Sequence, residues 1–331
     1  MDKKFGWGIL GPGRIARAFA TGLRVCETGE LVAVGSRDLG RAEAFCDEFG
    51  GRGFGSYDEL LADATVDGVY IATPHHLHVE QVIACAEARK HVLVEKPCAL
   101  DEVGARLAIE ACRANDVMFC EAFMYRMHPM FVALKRALRD GEIGEVRHVR
   151  SEFGFNASRD WTDPRSVLEW GGGALMDLGC YCVSLARLAF DAEPVRCSYL
   201  FGDEAKGYDG IASGSMLFPN GGSSSFGTAV HCAMKNEAVI YGSEGRIEID
   251  NPWYYGTAFR VVNYEGDVDE LREFENVDKY ANEADLFVRS IEGGEVEMMT
   301  PADSLGNMRS LDMFRRDGGL DFGTEWTHGG V

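Results

Sequence analysis

From residue 7 to residue 120, short apolar runs rich in β-branched side chains alternate with longer stretches in which apolar positions recur every three or four. The runs at 7–10, 31–34, 69–72, 92–95 and 117–120 predict strands, and the stretches 15–25, 40–49, 78–88 and 102–114 predict amphipathic helices. Strands separated by helices pair in parallel, because a parallel neighbour needs a crossover that a helix supplies. The pattern therefore predicts a doubly wound α/β domain over residues 1–123. Ligands of such sheets gather outside the carboxyl ends of the strands, so the residues just after each strand carry the interest.

Beyond residue 124 the period changes. A helix over 129–140 leads into alternating runs at 146–155, 194–202, 213–218, 223–230, 237–241 and 246–249. Pro219-Asn220-Gly221-Gly222 and the span from Gly242 to Gly245 read as tight connections between antiparallel strands, with Asn and Gly supplying positive φ. Helices over 173–190, 280–292 and 302–315 complete an α+β domain over 124–331, built on a large, mainly antiparallel sheet. The tail from 318 to 331, with five glycines, reads as loosely ordered.

Composition narrows the function classes. The 331 residues hold 46% hydrophobic side chains, enough for two cores, and 33 Lys and Arg stand against 53 Asp and Glu, a net charge of −20. That sign argues against nucleic acid and anionic membranes as partners. Ten cysteines without paired C-x-x-C spacing read as reduced, mostly buried thiols. No apolar core of a signal peptide and no run of 18 apolar residues is visible, which predicts a cytoplasmic protein.

Gly11-Pro12-Gly13-Arg14-Ile15-Ala16 follows the first strand and opens a helix, matching G-x-G-x-x-G/A in the context where that pattern gains meaning. Gly11 permits the turn, Gly13 lets the main chain approach a pyrophosphate, and the helix start offers N–H groups to it. An NAD enzyme would place a carboxylate at the end of the second strand. This chain has Ser36 and Arg37 there, with Arg41 in the next helix, a set suited to a 2′-phosphate. Asp38 keeps NAD open. NADP is the expected cofactor, with NAD possible.

Thr73-Pro74-His75-His76-Leu77-His78 and Glu95-Lys96-Pro97 also follow strands. The histidines lack the further ligands a zinc site needs, so no metal is expected and Pro74 reads as shaping a loop beside the cofactor. Lys96 ends an apolar strand, where an ammonium can polarise a substrate oxygen or lower the pKa of a hydroxyl. Three glycines at 171–173 precede a helix carrying Asp177 and Tyr181, four apart and so on one face. Tyr181 there can exchange a proton with a substrate hydroxyl, or it can pack while Asp177 bonds locally.

Together these motifs, with Glu121-Ala-Phe-Met-Tyr-Arg126-x-His128-Pro129, resemble the glucose-fructose oxidoreductase, inositol dehydrogenase and rhizopine-catabolism (Gfo/Idh/MocA) oxidoreductases over nearly the whole chain. The resemblance implies a Rossmann domain followed by an α/β domain whose open sheet often mediates dimerisation, hence a homodimer or dimer of dimers. It also implies dinucleotide contacts from Gly11, Pro12, Gly13, Arg14, Ile15, Ser36, Arg37, Arg41, Thr73, Pro74, His75, His78, Glu95 and Lys96. Many members carry His where this chain has Tyr181. That departure resembles the branch with dimeric dihydrodiol dehydrogenase and NADP-dependent D-xylose dehydrogenase, which implies Lys96 and Tyr181 as the catalytic pair, supported by Asp177. Glu121, Arg126, Trp161 and Arg165 are carried over as substrate-wall residues.

The expected activity is hydride transfer between the nicotinamide and a hydroxyl or carbonyl of an aldose, such as D-xylose or D-glucose, or of a cyclic polyol. A trans-dihydrodiol dehydrogenase is one alternative. A silent NADP-binding regulator is another, which intact Lys96 and Tyr181 argue against. A hydrolase using internal oxidation by NAD is a third, but the long loops and His-rich motifs of such enzymes are not evident.

Overall fold

The computed structural model describes residues 3–156, 166–202, 207–254, 256–294 and 298–322. Contacts divide the chain into two compact units, the first comprising Met1–Ala99, Val103–His128 and Val277–Ser304, the second Leu100–Glu102, Pro129–Asn276 and Leu305–Val331. A single sequential boundary after residue 123 does not describe this division, because the chain returns to the first unit near its end.

The first unit contains β1 (Phe5–Leu10), α1 (Arg14–Leu23), β2 (Gly29–Gly35), α2 (Leu39–Phe49), β3 (Arg52–Phe54), α3 (Tyr57–Leu61), β4 (Gly68–Ile71), α4 (His78–Glu87), β5 (His91–Glu95), most of α5 (Glu102–Ala114), β6 (Phe119–Ala122) and α8 (Lys279–Ile291). Its six strands are all parallel in the order β3-β2-β1-β4-β5-β6, the doubly wound arrangement expected. Leu10 pairs with Gly35 on one side and Ile71 on the other, so the residues following β1, β2 and β4 emerge level with one another. The hydrophobic pattern passed over β3 and α3, which are three and five residues long and too short to show a period.

The core on one side of the sheet is aromatic. Trp7 meets Phe19 at 5.3 Å and Phe287 of α8 at 5.2 Å, and Phe19 stacks on Tyr70 at 3.9 Å. Gly22 lets α8 approach α1, since a Cβ there would lie 2.7 Å from the Ala281 nitrogen. Asp285 then fixes the helix by accepting from the N–H groups of Glu27 and Thr28 and from the Thr28 hydroxyl at 2.7 to 3.0 Å.

The second unit holds α6 (Pro129–Arg139), β7 (Val146–Gly154), a π turn (Leu175–Gly179) running into α7 (Cys180–Phe190), β8 (Arg196–Gly202), β9 (Ile211–Leu217), β10 (Ser223–Ala229), β11 (Glu237–Gly242), β12 (Gly245–Asp250), β13 (Ala258–Asn263), β14 (Asp269–Glu273) and residues 305–318 of α9 (Pro301–Gly318). Its eight strands run in the order β14-β13-β12-β11-β7-β10-β9-β8, antiparallel except for the pair β7 and β10. Both tight connections expected from the sequence are present: Gly221 takes φ +80° after β9, and Gly242 to Gly245 joins β11 to β12. β13 and the edge strand β14 were not foreseen; β14 reads Asp-Glu-Leu-Arg-Glu and has no apolar alternation to find.

Side chains alternate buried and exposed along β8 and β9. On the exposed face Leu200, Ile211 and Leu217 are 77%, 43% and 41% accessible and lie among serines. Contrary to the expectation of no membrane-length segment, Leu168–Phe190 is apolar and long enough to cross one. However, 83% of its apolar window is buried, so this stretch, which runs through the glycine turns into α7, forms part of the core of this unit. Eight of the ten cysteines are buried, and none of the ten forms a disulfide.

Candidate active site

The first unit assembles a dinucleotide cradle from backbone geometry. Gly11 takes φ +85°, and a Cβ there would approach the Thr73 methyl to 2.8 Å, so only glycine fits. The start of α1 has no side-chain cap. A Cβ on Gly13 would meet nothing closer than the Gly11 carbonyl oxygen at 4.0 Å, leaving open space in front of N–H groups that have no partner within the helix. That open, donor-lined space fits a pyrophosphate.

Around the end of β2 the two charge signs separate. The Ser36 hydroxyl oxygen accepts from the Asp38 N–H at 3.2 Å, and the Asp38 carboxylate accepts from the Arg41 N–H at 3.3 Å, capping α2. Arg37 and Arg41 are exposed. Burial pushes the Tyr57 phenol up, while Arg37 and Arg41 pull it down. Burial, followed by Arg37, pulls the His76 imidazole down. The charge of Arg37 is thus felt at both the start of α3 and the loop after β4. Tyr57 was missed because α3 was missed.

The next strand ends hold several residues expected to touch the cofactor, and the structure turns some of them inward. His78 is fully buried, with Nδ1 2.9 Å from the Pro97 carbonyl oxygen and Nε2 2.9 Å from that of Thr73. It therefore lies between the loops after β4 and β5, and burial lowers its pKa to about 4, so near neutrality the uncharged ring donates to one of the two carbonyls. Thr73 donates its hydroxyl to Gln81 at 2.6 Å, and the His75 ring lies 5.6 Å from that of His78. Glu95 is buried, accepts the Tyr70 hydroxyl, and accepts the Lys96 N–H at 3.2 Å. Lys96 is buried directly after β5, as its sequence context suggested, and precedes a cis proline.

The carried-over wall residues divide. Glu121 is fully buried and accepts the Cys98 N–H at 2.9 Å, so it supports the loop that carries Lys96. Arg126 is buried and pairs with Asp303 at 3.4 Å. Trp161 and Arg165 lie outside the described residues.

In the second unit, Gly171 and Gly173 take φ +76° and +110° and lead into the π turn. The turn replaces the first turn of the plain helix expected over 173–190. Asp177 lies in this turn, half-buried, and Tyr181 lies at the start of α7. The Tyr181 ring is held edge-on by Phe153 at 5.2 Å and by Trp253 at 5.9 Å. Lys96 belongs to the first unit, and Asp177 and Tyr181 belong to the second.

Two family models match this chain: an oxidoreductase family with an NAD-binding Rossmann fold over residues 5–123, and a GFO/IDH/MocA C-terminal domain over residues 131–248. The chain belongs to the Gfo/Idh/MocA oxidoreductases. It is 36% identical to mouse trans-1,2-dihydrobenzene-1,2-diol dehydrogenase over 75% of each chain. With a D-xylose 1-dehydrogenase (NADP(+)) of Haloferax volcanii it shares 34% identity over 92% of this chain and 95% of the relative. A solved 3-ketoreductase from Actinomadura kijaniata, in complex with NADP and TDP-benzene, superposes with a TM-score of 0.86 at 26% identity, covering 96% of this chain and 98% of its own. As a Gfo/Idh/MocA member the protein is an oxidoreductase with an NAD(P)-binding Rossmann fold.

Proposed function

We propose that this oxidoreductase prefers NADP and interconverts a ring hydroxyl and carbonyl of an aldose, such as D-xylose or D-glucose, or of a cyclic polyol, using Lys96 and Tyr181. The observation that carries the cofactor choice is the engagement of Asp38. The carboxylate available to a ribose 2′-hydroxyl caps α2, while Arg37 and Arg41 stay exposed and offer charge-assisted donors to a 2′-phosphate.

The bound nicotinamide dinucleotide supplies the hydride acceptor or donor. In the oxidative direction Tyr181 takes the hydroxyl proton as the carbinol C–H bond breaks, and the C–O bond becomes a carbonyl. A free phenol titrates near about 10 and needs a cation to serve as a base near neutrality, a role that falls to Lys96. Asp177 orients the substrate from the same helix. A trans-dihydrodiol is the second reading, favoured by the aromatic surroundings of Tyr181 and by the named mammalian relative. We further propose a cytoplasmic homodimer or dimer of dimers associating through the open sheet, where Leu200, Ile211 and Leu217 stand exposed among serines.

The test scores aldoses, inositols and dihydrodiols by nicotinamide absorbance, with NADP and NAD titrated in parallel. Tyr181→Phe is expected to lower turnover by about 10²- to 10⁴-fold and to leave dinucleotide affinity unchanged. Unaltered turnover in that variant, or equal catalytic efficiency with NAD, would overturn the corresponding assignment.

A further inference from the structure

The helix carrying Asp177 and Tyr181 begins in a π turn, a rare one-turn element found mostly at functional sites. The groups that hold its start come largely from one residue, Asp209, in the connection between β8 and β9. The Asp209 carbonyl oxygen accepts the Ala174 N–H at 2.7 Å, and its Oδ2 accepts the Leu175 N–H at 2.7 Å. Two donors without helical partners therefore end on one side chain and its own backbone. From β10, the Thr228 hydroxyl donates to the Ala174 carbonyl at 3.2 Å.

The fit depends on glycine. Gly173 takes φ +110°, and a Cβ there would sit 1.7 Å from Asp209 Oδ1, so the absent side chain is what admits the carboxyl. Asp209 is 1% exposed, and its Oδ1 has no hydrogen-bond partner among the described residues. Tyr199 of β8 donates its hydroxyl to Oδ2 at 2.5 Å. A carboxylate at a helix start also meets the positive end of the helix dipole.

We infer that Asp209 is a positioning residue: it clamps the first turn of the catalytic helix and thereby fixes where Asp177 and Tyr181 stand. The catalytic consequence rests on the proposed role of Tyr181, while the clamp itself does not. Burial pushes the Asp209 carboxyl up to about 6, against the Tyr199 hydroxyl and the Leu175 N–H, which pull it down. Tyr199 is the titratable side chain in contact with it, and neighbouring Tyr208 bonds His231 instead. Below that pH the carboxyl takes up a proton, the helix start loses its charged acceptor, and turnover falls.

The test compares the full-length wild type with Asp209→Asn, Tyr199→Phe and Tyr181→Phe, measuring kcat, KM, the pH profile and dinucleotide affinity, with hydrogen exchange over residues 173–182. Asp209→Asn is expected to lower kcat by about 10- to 100-fold, as a small misplacement of a catalytic group does, with dinucleotide affinity unchanged and the acid limb near pH 6 abolished. Wild-type exchange over 173–182 should rise below that pH, beyond the intrinsic trend, and the Asn variant should not show the rise. Tyr199→Phe, which removes a single hydroxyl, should move the limb upward and serves if the Asn variant fails to fold. Wild-type kcat and an unmoved limb in both variants, with exchange insensitive to pH, would overturn the clamp. Unchanged turnover in Tyr181→Phe sinks only the catalytic reading, because the exchange measurement stands without it.

Discussion

Glu283 in α8 is fully buried, and neither carboxyl oxygen has a hydrogen-bond partner among the described residues. Burial first, and the Glu95 charge second, hold its pKa well above the usual carboxylate range, so the folded protein keeps the proton. The unfolded chain releases that proton from about pH 4.5 upward, so this residue subtracts stability increasingly as pH rises from there toward the folded pKa. Glu283→Met, of similar volume, is expected to stabilise the protein by about 1–3 kcal/mol at pH 8 and by less at pH 4.5. Thermal unfolding at the two pH values decides it, and an equal shift at both would refute the account. His78 is buried as well, its ring lying between two carbonyl oxygens, and the sequence has no sign that separates a histidine facing a ligand from one facing the backbone.

At the scale of elements, Gly13 offers a clean separation of folding from binding. A Cβ there meets nothing closer than 4.0 Å, so Gly13→Ala should leave the melting temperature nearly unchanged while filling the space proposed for the pyrophosphate. Dinucleotide affinity by fluorescence titration is expected to fall by at least about tenfold, corresponding to about 1.4 kcal/mol. Wild-type affinity in a folded variant would remove Gly13 from the cradle. The motif was legible because strand, glycines and helix follow one another locally, and the place of Lys96 directly after β5 was legible because an apolar strand leads to it. Other features depend on contacts that no local pattern encodes. Asp209 supports a helix from a different connection, Glu121 turns beneath the Lys96 loop, and the π turn follows the same apolar spacing an ordinary helix would. The edge strand β14 escaped for a simpler reason: an exposed strand needs no apolar face.

For the whole molecule, the net charge of −20 coexists with a local pair of exposed cations, Arg37 and Arg41, on which the proposed NADP preference rests and which composition does not report. The return of residues 277–304 to the first unit has wider reach. Phe287 covers Trp7 and Phe5, and Asp285 holds the backbone before β2, so residues 1–128 alone would expose an aromatic surface. That fragment is expected to show no cooperative thermal transition, and a peptide of residues 277–304 added in trans is expected to restore one, as near-ultraviolet circular dichroism would reveal. A cooperative transition in the fragment alone would show that α8 is dispensable. The same return sets a timetable on the ribosome: the N-terminal sheet is made first, yet it must wait for most of the chain to be translated before its aromatic face is covered. Newly made dinucleotide domains therefore depend on whatever shields that face in the meantime.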